Sequence, residues 1–124
     1  MIGALVTCTG AMLALAALSF WTARRASAGT LPRNDLVGIR TTATRASDAA
    51  WVAAHRAGAA DLRRMGVAAL ATAVLPWAGV VVPDAYREAV IVVTVLGGVG
   101  AILVLTIRSA VVGGRAARAV SDAG

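Results

Sequence analysis

The chain has 124 residues, 59% of them hydrophobic, a mean hydropathy of +0.79, a formal charge of +6 and a pI near 11.5. A water-soluble domain of this length has too little interior to hide that much apolar surface, and apolar residues gathered in three blocks leave no room for a separate soluble catalytic domain. All twelve basic residues are arginines placed beside or between the blocks, where headgroups and topology account for them, so direct nucleic-acid binding is set aside.

The first apolar block covers residues 2–22 and, at 1.5 Å per helical residue, reaches about 31 Å, the thickness of the hydrocarbon core. Ala26-Ser27-Ala28 before Gly29 imitates a signal-peptide cleavage site. A basic leader is missing, the apolar stretch is too long, and Arg24 and Arg25 intervene, so an uncleaved span is expected. Cys8, the single cysteine, lies inside this block, which rules out an intrachain disulfide and a cysteine-based metal site.

The connection, residues 24–64, divides in two. Its front, Thr30-Leu31-Pro32-Arg33-Asn34-Asp35, has the proline and Asx residues of a turn. Leu36-Val37-Gly38-Ile39-Arg40-Thr41 follows, too short to span, with Gly38 suited to a positive φ or a close contact. The back half opens on Ser47, a good N-cap, and Asp48, whose charge suits the positive end of a helix. That helix is expected to run on into the second span. Trp51, His55, Gly58, Leu62 and Met65 fall on one stripe, while Arg56 and Arg63 share another. Taken alone, this is an interfacial helix with a tryptophan anchor and snorkelling arginines.

The second block covers residues 65–82 and the third 89–107, joined at Pro83-Asp84. Pro76 removes a backbone hydrogen bond within the second and predicts a packing kink beside Trp77. Small residues at helical spacing, namely Gly3 and Thr7, Gly10 and Ala14, and Gly97 and Ala101, predict a compact bundle and admit a homo-oligomer. No ionisable side chain falls within a span, which argues against a proton-coupled carrier.

Eight arginines lie between the first and second spans and three in the tail, 108–124, against Arg87 alone in the turn. This bias places the N-terminus outside and the connection and C-terminus inside. The fold class expected is an all-α membrane protein: three transmembrane helices with a long cytoplasmic connection containing an interfacial helix. A lone His55 builds no metal site, and no cofactor is called for. An interfacial enzyme would need a nucleophile and base among Thr41, Thr44, Ser47, Asp48 and His55. Helix-start roles account for Ser47 and Asp48, so no catalytic residue is assigned.

Asn34-Asp35-Leu36-Val37-Gly38-Ile39-Arg40-Thr41, followed by Ser47-Asp48-Ala49-Ala50-Trp51-Val52-Ala53-Ala54-His55-Arg56-Ala57-Gly58, resembles the signature of the SdpI/YfhL family of bacterial membrane proteins. The sequence departs from that pattern at Ala49, where a second acid is usual, at Thr42-Ala43, where proline is common, and at His55, where asparagine is common. The resemblance implies a motif of Asn34, Gly38, Arg40, Thr41, Ser47, Asp48, Trp51 and Arg56 in a bacterial plasma-membrane protein, and His55, on the Trp51 stripe, joins them as a candidate. It implies immunity to a membrane-active toxic peptide, signalling through a small transcriptional repressor held at the membrane, or both. The alternative is a structural or lipid-binding accessory subunit without an immunity role. The resemblance further implies that Arg40 folds back to Asp48 or to carbonyls near the helix start.

Overall fold

The computed structural model describes residues 1–123. It consists of α1 (Ile2–Ala28), α2 (Asp48–Val74), a 3-10 turn (Leu75–Trp77), α3 (Ala78–Val81) and α4 (Asp84–Ala123), with no strand among the described residues. Three helices are long and apolar enough to cross a membrane: Ile2–Ala28, Asp48–Val81 counted through the turn, and Asp84–Ala123. The expected spans 2–22 and 89–107 fall within the first and third of them, and 65–82 runs one residue past the second.

Two helices extend well past the membrane's needs. The helix of α2 runs unbroken from Asp48 into the second span, as its N-cap predicts. At 40 residues, α4 is about 60 Å long, roughly twice the hydrocarbon core. The tail expected from residue 108 is therefore a continuation of the third helix, and Ser109, Gly113, Gly114 and Ala117 are buried along it. Gly124 lies outside the described residues.

The central element is α2, packed on α1 along one face and on α4 along another. Lipid tails give helices no hydrophobic reason to associate, so close approach of backbones through small side chains holds them together. Ala23 and Ala26 of α1 meet Ala59 and Leu62 of α2, with Met65 beside them. The Phe20 ring covers Gly66, where an added Cβ would sit 2.9 Å from it. On the other face the Thr72 side chain occupies the space left by Gly98. The small pairs read from the sequence are not these contacts: Gly3, Gly10 and Gly97 face open space. Spacing marks a stripe but not which side of the helix a neighbour takes.

Pro76 acts as expected. Lacking an N–H, it converts one turn to 3-10 geometry before the helix resumes at Ala78. Helix α1 braces the break, its Thr9 hydroxyl donating to the Ala73 carbonyl at 3.2 Å and accepting from Trp77 Nε1 at 2.7 Å. The turn into α4 is closed by the Tyr86 N–H on the Pro83 carbonyl at 2.9 Å. Arg87 pairs with Asp84 at 2.6 Å and donates to the Gly79 carbonyl at 3.2 Å.

Candidate functional site

The connection from Gly29 to Ser47 folds back over the extended ends of α2 and α4. It begins at Gly29, whose φ of 70° ends α1 while its N–H and that of Thr30 satisfy the Ala26 and Arg25 carbonyls. Asn34 then builds an Asx turn: its Oδ1 accepts from Leu36 N and Val37 N, and its Nδ2 donates to the Pro32 carbonyl, all at 2.8 Å. Gly38 follows at a φ of 101°, a conformation that side chains rarely tolerate. Thr44, fully buried, donates to the Ile39 carbonyl at 2.6 Å and accepts from Thr41 N at 2.9 Å, and the Thr41 hydroxyl accepts from Thr44 N. Ser47 closes the loop by capping α2 through Ala50 N at 3.0 Å.

Three contacts latch this loop to the helices. Trp51 Nε1 donates to the Leu31 carbonyl at 2.8 Å. His55 Nε2 accepts from Ile39 N at 2.8 Å, while Nδ1 donates to the Trp51 carbonyl at 2.8 Å. This pattern requires the neutral imidazole with its proton on Nδ1. The third is a knob in a notch: Ile39 Cδ1 sits over Gly58 of α2 and Gly113 of α4, within 3.0 Å of where a Cβ at Gly113 would stand. The Trp51 and His55 rings stack at 4.1 Å, and both are 1% exposed. His55 lies before the apolar stretch that opens at Met65, and burial holds its pKa below the ordinary 6.5, against a lesser upward pull from the Trp51 carbonyl. The His55 ring fills the space where Gly38 lacks a Cβ.

Charged side chains lie on the outside. Asp35 pairs with Arg45 at 2.6 Å, and Arg33 reaches Asp48 at 3.4 Å and the Arg45 carbonyl at 3.2 Å. Arg40 is exposed and donates to the Asp35 carbonyl. Arg40 thus meets the Asp35 carbonyl in place of both expected partners, Asp48 and the carbonyls near the helix start. The positive φ at Gly38 turns the chain so that Arg40 faces back along its own loop, and Arg33 takes Asp48. Arg56 lays its guanidinium against Gly29.

The motif residues thus gather in one unit with different duties. Gly38, Thr41, Ser47, Trp51 and His55 build the latch, Asn34 shapes the turn, and Arg40, Asp48 and Arg56 decorate its surface. Sequence reasoning gave no latch role to Leu31, Ile39, Gly113 or Thr44, the last weighed only as a nucleophile, and these complete the latch. It also missed Asp61, whose side chain is 5% exposed and takes Arg64 at 2.7 Å and Arg108 at 3.2 Å. That carboxylate ties α2 to α4 just short of the second span. Its signal was present: Asp61 falls three residues after Gly58 on the buried stripe. Among the described residues no group of three His, Cys, Asp or Glu side chains is placed to hold a metal.

Three apolar helices with a connection latched between their extended ends define a multi-pass helical membrane protein. Residues 30–109 match the model of the SdpI/YfhL protein family, and the chain belongs to that family. No curated protein and no solved structure matches it.

Proposed function

We propose that the chain is an SdpI-like protein of the bacterial plasma membrane that recognises a partner through the latched connection. In this reading it confers immunity to a membrane-active toxic peptide, signals by binding a small regulator, or does both. The observation that carries it is the division of labour within the signature. Leu31, Ile39, Trp51 and His55 turn inward, at 1–5% exposure, while Leu36 is 85% exposed on a turn stapled by Asn34. A segment serving only as a tether would not need a fixed outer surface. The arginine bias supports a reading in which that surface, with both long helix overhangs, is cytoplasmic and the N-terminus outside.

The test is deletion of the gene in the source bacterium and exposure of the cells to their own spent medium. Protection restored by the wild-type chain, and lost on Trp51→Ala at equal membrane abundance, supports immunity. Equal survival with and without the chain refutes it.

One observation favours a second reading, a structural or lipid-binding accessory subunit without an immunity role. Five of the twelve arginines form ion pairs among the described residues, leaving seven without a carboxylate. Arginines free of carboxylates at a membrane surface are available to anionic lipid at about 1 kcal/mol each. Arg→Lys exchange across the connection preserves function under this reading and abolishes it where a partner needs the planar guanidinium of Arg40.

A further inference from the structure

The C-terminal turn of α1 carries a cavity of about 310 Å³ lined by Trp21, Arg24, Arg25, Ala28 and Thr30. We propose that it is a discrete binding site for the phosphate of an anionic lipid headgroup, with Arg24 and Arg25 as the anion ligands and Trp21 as the interfacial wall.

Four observations converge on it. First, the level is right: Trp21 closes the apolar stretch of the first span and is 45% exposed, the position at which an indole meets headgroups. Second, Arg25 is held in place before any ligand arrives. Its guanidinium lies over the Trp21 ring, 5.3 Å from the centroid, and donates to the Thr30 carbonyl at 3.3 Å. A guanidinium fixed by two contacts keeps its remaining N–H groups aimed, which lessens the ordering cost of binding.

Third, no carboxylate competes. Neither Arg24 nor Arg25 pairs with an acid among the described residues, and the first acidic residue in the chain is Asp35. Arg56 against Gly29 brings a further guanidinium to the same turn. Fourth, the ordinary use of cations at a helix C-terminus, covering its free carbonyls, is partly taken. The Ala26 carbonyl accepts from Gly29 N at 3.2 Å and the Arg25 carbonyl from Thr30 N at 3.0 Å. The guanidiniums therefore face an anion from outside the chain. This site needs only that α1 crosses the bilayer, so it stands whichever reading of the connection holds.

The test uses the full chain purified in detergent, with native mass spectrometry counting retained lipid at fixed added phosphatidylglycerol or phosphatidylcholine. The site predicts one phosphatidylglycerol held in preference to phosphatidylcholine. Retention falls at least fivefold in Arg24→Gln/Arg25→Gln and less than twofold in Arg115→Gln/Arg118→Gln, which removes the same charge from exposed positions on α4. Arg25→Lys, which keeps the charge but loses the planar guanidinium and its paired N–H groups, falls in between. Circular dichroism checks that each variant is folded, and the single substitutions carry the comparison if a double variant is not. Equal losses in the two double variants would reduce the site to diffuse attraction and overturn it. Thermal stabilisation by inorganic phosphate with no preference between the two lipids would assign the site to a free anion and overturn the lipid assignment. Retention of phosphatidylglycerol in excess inorganic phosphate supports it.

Discussion

Replacing Gly58 by leucine removes the notch that seats Ile39. Even a Cβ at Gly58 would stand 2.5 Å from Ile39 Cδ1. An alanine there is met by rotating the tip of the isoleucine, so Gly58→Ala should cost less than about 1 kcal/mol, offset by a similar gain in helix propensity. Leucine fills the space, and Ile39, only 5% exposed, must leave it. Losing that burial costs about 1.5–3 kcal/mol. Because α2 stays helical whether the latch is open or closed, helix propensity does not enter the opening equilibrium. The Ile39 amide, bonded to His55 Nε2, reports it directly. At 1.4 kcal/mol per tenfold, its hydrogen exchange in Gly58→Leu should accelerate about 10- to 100-fold. Exchange within twofold of wild type, with α2 still helical, would refute the seating of Ile39.

Asp61→Asn leaves Arg64 and Arg108 without their shared counterion. With the arginines 57% and 62% exposed and the carboxylate 5%, the loss lies between surface and buried pairs, about 1–3 kcal/mol in denaturant unfolding. A double-mutant cycle with Arg108→Gln should show coupling above about 0.5 kcal/mol. Trp51→Phe strands the Leu31 carbonyl and should cost about 1–3 kcal/mol by the same assay. His55 has a folded pKa below its ordinary 6.5, so its protonation favours the open chain. Its contribution is complete above pH 6.5 and declines as the pH falls below, by at most about 1.4 kcal/mol per pH unit. The protection of the Ile39 amide, its exchange rate divided into the intrinsic rate at the same pH, should fall in wild type as the pH drops from 7.5 to about 5, and His55→Gln should flatten the profile.

Much of this was legible in the sequence where one local rule decides. Length and apolarity place the three spans, Ser47 caps the helix it heads, and Gly38 takes the positive φ its position suggested. Pro76 yields the expected break, and the stripe from Trp51 to Leu62 is the buried face. What escaped depends on the path of the chain in space. The partner of Arg40 follows from the direction the loop takes after Gly38, which no spacing encodes. The tail looked like a charged extension because its arginines mask Gly113, Gly114 and Ala117, a packing face at helical period. Asp61 is hidden from a sequence reading by its place just ahead of an apolar block, although it occupies the same buried stripe as its neighbours. Open glycines at positions 3, 10 and 97 show the converse: period alone overstates contact.

The central claim is that the shape of the connection, and not its charge, carries recognition. The most direct measurement compares survival in spent medium of cells lacking the native chain and complemented at equal membrane abundance by Gly58→Leu or by Arg56→Gln/Arg63→Gln. The first opens the latch and keeps every charge, and the second removes two charges and keeps the latch. Loss of protection in Gly58→Leu alone is the predicted result. Full protection by Gly58→Leu with loss in the arginine variant would contradict the account.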